Sequence, residues 1–255
     1  MAEPGPVIPR PAAAVTLLRD GVSGTLEVCM VRRHGKSAFM PSVYVFPGGA
    51  LSDQDRETER RPGSCAPLTA LSILPLGEGF YAAAIRECFE EAGVLLARPT
   101  NGPDGWPRER RPELDEHRRA LNEGRTQLSA VLAAEGLVAS TDRMGHWSHW
   151  ITPEGFPRRF DTHFFLARLP DNQEIVHDPH ETTEGVWVTP GDALARFQEG
   201  AFPLVYATER QLSQLALCET VAAAFARYAG RTVRVNQPRV VTENGTDTIV
   251  LDHGE

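Results

Sequence analysis

The sequence predicts a mixed α+β protein, and three features predict it. Short runs rich in β-branched and aromatic residues recur along the chain, helical stretches lie between them, and the order is not a regular strand–helix alternation. Residues 12–18 (AAAVTLL) and 26–32 (LEVCMVR) read as strands joined by a turn at residues 20–24. Residues 43–46 (VYVF) form a third strand, stopped by Pro47, Gly48 and Gly49. Residues 52–79 are polar and rich in breakers, although 68–76 are apolar enough to pack. Residues 80–92 predict a helix ended by Gly93, where glycine takes the left-handed conformation most cheaply. After a Gly-, Pro- and Arg-rich loop at 99–112, the spacing of Leu114, Leu121, Leu128, Val131 and Leu132 predicts two amphipathic helices broken near Gly124. Strands are predicted at 146–151, 162–169 and 185–189. A short helix at 192–198 and a long one at 208–229 follow, then a tail with one or two β-prone runs. The expected organisation is one domain over residues 8–230, with segments 52–79 and 99–140 as insertions and 231–255 as the tail.

Composition narrows the function. With 41% apolar and 24% charged residues, the chain is an ordinary globular sequence. Its net charge of −8 argues against a nucleic-acid binder, which needs a basic face. It leaves room for an anionic substrate, since a bound divalent cation inverts the local sign. No apolar run approaches the roughly 18 residues of a membrane span, and the N-terminus does not read as a secretory signal. Cys29, Cys65, Cys88 and Cys218 form no CxxC pair, so reduced thiols in the cytoplasm are expected rather than a disulfide scaffold or structural zinc.

The chemistry concentrates in Arg86-Glu87-Cys88-Phe89-Glu90-Glu91-Ala92-Gly93-Val94. At about 100° per residue, Glu87, Glu90 and Glu91 share an arc of about 100°, opposite the face of Tyr81, Ile85, Cys88, Phe89 and Ala92. Like charges at these spacings repel, and Arg86 can pair with Glu90 but cannot neutralise all three. Hard oxygen ligands on one rigid face suit Mg²⁺ or Mn²⁺. The bland alternative is a solvated acidic face.

The flanking residues decide between the two. Gly49, Glu78, Arg86-Glu87-Cys88-x-Glu90-Glu91-x-Gly93-Val94 together resemble the Nudix box, in which glycine, five residues, glutamate and seven residues precede Arg-Glu-apolar-x-Glu-Glu-x-Gly-apolar. The gap from Gly49 to Glu78 holds 23 extra residues. The early acid is therefore either Asp55, at the uninterrupted spacing from Gly49, or Glu78, which keeps its register to the helix and is favoured. The insertion, the segment 33–41 before Phe46-Pro47-Gly48-Gly49, and the later RFDTHFFLARL and VWVTP resemble the nudix motif-19 branch. Arg33 and the FPGG run match the upstream signature of coenzyme A-cleaving members, whereas Ala38 and Ser42 stand where Arg and Gly are usual.

This resemblance implies a mixed sheet sandwiched between helices and hydrolysis of a diphosphate linkage with Mg²⁺ or Mn²⁺ as cofactor. Coenzyme A or an acyl ester is the leading substrate. A dinucleotide, a nucleotide sugar, or a silent nucleotide-sensing role are the alternatives. By resemblance, Glu87, Glu90 and Glu91, with Glu78, are metal ligands, Arg86 holds the carboxylates, and Gly49 lets the backbone approach the site. Glu181 or Glu184, just before a predicted strand, is a candidate late acid, with Glu181 preferred. Arg33, Arg158 and Arg159 are candidates for gripping phosphate. The implied partner is a small diphosphate substrate, with no nucleic acid or membrane, and the insertion leaves a homodimer open. Trp147, Trp150 and Phe160 are candidates for stacking an adenine or for core packing. His146 with His149, and His177 with His180, invite a zinc reading. Against it, residues three apart on a strand face opposite ways and no cysteine is near.

Overall fold

The fold is organised by β1 (Arg10–Asp20), whose small and apolar residues are buried from Ala12 to Leu18. The computed structural model describes residues 7–36, 40–100, 111–179, 182–243 and 246–251. On one side β1 runs parallel to β8 (Phe160–Arg168), from Arg10 opposite Phe160 to Leu18 opposite Arg168. On its other side two strands follow end to end, both antiparallel: β4 (Gly48–Ala50) against Ala12–Ala14, and β2 (Leu26–Arg33) against Leu18–Asp20. The sheet is completed by β3 (Tyr44–Val45) and β9 (Thr182–Val188) beside β2, then β7 (Gly145–Ile151) beside β8 and β10 (Val235–Asn236) at the far edge, while β5 (Ala97–Pro99) and β6 (Leu137–Ala139) pair separately.

Alternation along the strands builds two cores. Ala13, Val15, Leu17, Cys29, Val31 and Phe165 face α2 (Phe80–Ala92), which buries Tyr81, Ile85, Cys88, Phe89 and Ala92 against them. The same cluster takes Leu114 and Leu121 from α3 (Arg111–Asn122), and Leu128, Val131 and Leu132 from α4 (Leu128–Glu135). On the other face Leu18, Val28, Met30, Trp147 and Leu166 pack with Ala193 of α5 (Pro190–Gln198), Leu212 and Leu215 of α6 (Tyr206–Leu215), and Val221 and Ala224 of α7 (Val221–Tyr228). The result is the expected sheet between helices. Gly93 ends α2 at φ 70°, with its N–H on Phe89 O. Among the described residues, no helix is long and apolar enough to cross a membrane.

Three expectations are corrected. Residues 52–79 open with a helix, α1 (Asp53–Arg60): Ser52 accepts from Asp55 N–H and the Asp55 carboxylate accepts from Ser52 N–H, a reciprocal cap that nucleates it. The single long helix at 208–229 is two, because Thr220 accepts from Ala223 N–H and starts α7 afresh. On β7 a bulge at Trp147 leaves His146 opposite Phe165 but Ser148 opposite Phe164 and His149 opposite His163. His146 and His149 therefore face the same side of the sheet. The tail adds β10 to the sheet and then a hairpin, β11 (Arg239–Glu243) and β12 (Thr246–Val250).

Candidate active site

The N-terminus of α2 has no side-chain cap of its own, since Gly79 occupies the capping position. Glu59 of α1 provides one from afar. Its Oε1 accepts from the N–H groups of Tyr81 (2.8 Å) and Ala82 (3.1 Å), and its Oε2 from those of Gly77 (2.6 Å) and Gly79 (2.8 Å). A carboxylate on these donors satisfies orphan N–H groups and complements the positive end of the helix dipole. The inserted helix α1 is thereby fastened to α2.

One and a half turns further on, α2 presents Arg86. Its Nε and Nη2 donate to Asp55 Oδ1 and Oδ2 at 2.9 and 3.0 Å, a bidentate pair with a carboxylate only 1% exposed. Nη1 donates to Glu87 at 2.8 Å and Glu90 at 2.7 Å, and Nη2 also to Ala50 O at 3.1 Å. Burial opposes the charge on Arg86, but the Asp55 hydrogen bonds and the charges of Glu87, Asp55 and Glu90 outweigh it and raise its pKa above the usual arginine value. Glu91 is 5% exposed, and its Oε2 accepts from Gly48 N–H at 3.0 Å. A Cβ on Gly49 would stand 2.4 Å from Glu87 Oε1, so only glycine lets this carboxylate lie against the strand.

Glu87 and Glu91 line one end of a cleft of about 440 Å³ on the α6 side of the sheet. Its walls are Ala12, Ala14, Phe46, Trp150, Phe160, Thr162 and Phe164 from the sheet and Val205–Thr208 from the start of α6. Pro238 and Ile249 of the C-terminal segment also line it, so the tail is part of the site region. Arg33 lines the cleft as well, and its buried Nε has no hydrogen-bond partner among the described residues.

The structure places Arg86, Glu87, Glu90, Glu91, Gly49 and Arg33 in one region and several other sequence candidates elsewhere. Asp55, not Glu78, is the acid joined to Arg86, while the Glu78 side chain is exposed. Arg159 is 6% exposed and donates to the carbonyls of Thr152 and Val7, so it ties loops together; Arg158 is exposed and does not line the cleft. Trp147 belongs to the core, donating to Thr16 Oγ1 and packing on Tyr228, whereas Trp150 and Phe160 do face the cleft. Glu184 accepts from Tyr44 Oη at 2.5 Å, and Glu181 and His180 lie outside the described residues. Glu59 was not singled out from the sequence. Its only local signal is the Ser52–Asp55 cap, which marks a helix but not what that helix would hold.

A model of the NUDT19 Nudix domain matches residues 65–211, more than half of the chain. The chain belongs to the Nudix family. Its curated Nudix relatives include the acyl-coenzyme A diphosphatase NUDT19 of Gallus gallus, 32% identical over 68% of this chain and 56% of that protein. The Homo sapiens protein of the same name is 28% identical, over 74% of this chain and 60% of that one. The chain spans less than two thirds of the length of either relative. A crystal structure of a NUDIX hydrolase from Alicyclobacillus acidocaldarius is 29% identical with a TM-score of 0.68, covering 88% of this chain and 99% of that one. In this Nudix chain α2 lies within the matched region, whereas Gly49 and the Arg86-bound Asp55 precede it in sequence.

Proposed function

We propose that the chain is a divalent-metal-dependent pyrophosphohydrolase acting on coenzyme A or an acyl-coenzyme A. The observation that carries this reading is the placement of Glu87 and Glu91 at the end of a largely apolar cleft that Arg33 also lines. A carboxylate cluster of hard oxygen donors, crowded around one guanidinium, fits Mg²⁺ or Mn²⁺. When bound, such an ion supplies neutralisation of phosphoryl charge and a water acidic enough to attack phosphorus.

Every other part is played by the chain itself. Glu87, Glu90 and Glu91 are the ligands in this reading. Arg86 fixes two of them from one nitrogen, while Asp55 fixes Arg86. The Gly48 N–H orients Glu91. Arg33 receives a substrate phosphate through its open donor, and Trp150, Phe160 and Phe164 seat an apolar or aromatic portion of the substrate. Glu181 is kept as the candidate general base. The names of the chicken and human relatives favour the coenzyme A class over other diphosphates.

The test is a product-resolved mass-spectrometric assay with Mg²⁺ or Mn²⁺. Coenzyme A, acetyl-coenzyme A, ADP-ribose, NADH and a diadenosine polyphosphate are offered to the wild type and to Glu90→Gln/Glu91→Gln. Adenosine bisphosphate and a phosphopantetheine product should form from coenzyme A or its ester, in the wild type only. Cleavage of the other substrates alone would discard the coenzyme A assignment and keep the chemistry; cleavage of none would discard both.

A further inference from the structure

The bulge at Trp147 assembles a second group of metal-type donors. Because His146 sits opposite Phe165 and His149 opposite His163, both face the α2 side of the sheet, together with His163 and Asp161 of β8. This place is two strands from Gly49, by way of Ala13, or about 10 Å at normal strand spacing. Its neighbours are apolar rings: Phe80 lies 4.2 Å from His163 between centroids and Tyr81 4.6 Å from Phe165. A sheet face under a helix is ordinarily filled by aliphatic side chains, yet three imidazoles and a carboxylate converge here.

Their arrangement is specific. One ligand atom each from His149, Asp161 and His163 lie within 4.8 Å of one another. His149 Nε2 contacts Asp161 Oδ1, and the rings of His149 and His163 stack at 3.9 Å and 24°. Behind them, His146 Nε2 lies 3.0 Å from His163 Nδ1, the type of outer hydrogen bond that fixes the tautomer of a metal-bound imidazole. In the tautomer with His163 Nδ1–H donating to His146 Nε2, the Nε2 lone pair of His163 is the one open to an ion. His146 is 2% exposed and its Nδ1 has no hydrogen-bond partner among the described residues, a cost the fold carries to keep an imidazole there. Asp161 is 36% exposed and opens the group to solvent.

We propose that His149, Asp161 and His163 form a site for a divalent transition-metal ion, Zn²⁺ by donor chemistry, with His146 as the outer partner of His163. Two imidazoles and one carboxylate leave a fourth position for water, the composition of open zinc sites, whereas Mg²⁺ prefers the all-oxygen set on α2.

The test uses the full chain carrying Glu87→Gln/Glu91→Gln, which removes the glutamate site, so this outcome is independent of the proposed hydrolase activity. Co²⁺ is titrated as a visible-absorbing probe and Zn²⁺ as its competitor. One equivalent of Co²⁺ should give the intense band of a low-coordinate nitrogen–oxygen site, displaced by Zn²⁺. His149→Ala and His163→Ala should abolish the band, and His146→Ala should weaken Co²⁺ binding by about 10- to 100-fold. His149→Cys guards against simple misfolding: it should retain the site and add a thiolate-to-cobalt charge-transfer band. The weak spectrum of hexaaqua Co²⁺ in the parent, or a band unchanged by His149→Ala and His163→Ala, would overturn the proposal.

Discussion

Arg86 engages Asp55 with two nitrogens and Glu87 and Glu90 with the third, so the posture of both glutamates depends on a residue that does not itself line the cleft. Removing the Asp55 charge leaves Arg86 free to swing toward Glu87 and Glu90 and to occupy the space an ion needs. Asp55→Asn is therefore expected to weaken Mn²⁺ binding by about 10- to 100-fold, the usual effect of losing an outer partner. Glu78→Gln, at an exposed side chain, should change it by less than about twofold. Isothermal titration of both variants with Mn²⁺ checks the pair, and equal losses in the two would show that Glu78 belongs to the site. The sequence made Asp55 visible through its spacing from Gly49, yet register to the helix favoured Glu78. Register along the chain carries no information once the intervening segment folds. What matters is where α1 docks, and that is set by contacts with residues 18 to 31 positions away. Glu87, Glu90 and Glu91, by contrast, were legible because their grouping is a property of one helix.

Helix α1 acts on the site as an element. Besides holding Arg86 through Asp55, it closes the N-terminal end of α2 with the four hydrogen bonds of Glu59, a residue 6% exposed. Loss of that carboxylate strands buried N–H groups and the helix dipole together. Glu59→Ala should cost about 2–3 kcal/mol and lower Tm by roughly 4–12 °C. Glu59→Gln, with one acceptor oxygen left, should fall between it and the wild type, as a thermal melt will show. An unchanged Tm in Glu59→Ala would mean that α2 holds its first turn without α1. The elements themselves were mostly readable: α2 from its apolar spacing and Gly93, and α3 and α4 from their apolar spacing and the break at Gly124. The bulge in β7 was not, because an extra residue in a ladder depends on the partner strand, and a two-residue period read along β7 alone placed His146 and His149 on opposite faces.

At the scale of the whole molecule, the four cysteines report on both layers. Cys29 and Cys88 are completely buried in the α2 core, and Cys218 lies in the core on the opposite face of the sheet. Cys65, only partly buried, packs against the α2 core. Burial pushes the Cys29 thiol up to about 12, helped by the charge of Glu91, and does the same to Cys65, helped by Glu59. Cys88 and Cys218 are raised as well, again chiefly by burial. A thiol with a pKa near 12 is ionised to only about one part in 10⁴ at pH 8, and reactivity appears as pH climbs toward 12 rather than near the ordinary thiol range. The native protein should therefore react slowly with a disulfide reagent at pH 8 and release all four equivalents once unfolded. Because one sheet is shared by both cores, protection of Cys88 and Cys218 should be lost at the same denaturant concentration. Mass-spectrometric mapping of alkylated peptides along a guanidinium series measures both midpoints. Separate midpoints would mean that the α5–α7 layer opens without the α2 layer, and that the cleft between the α6 start and the sheet can come apart while the glutamate site stays folded.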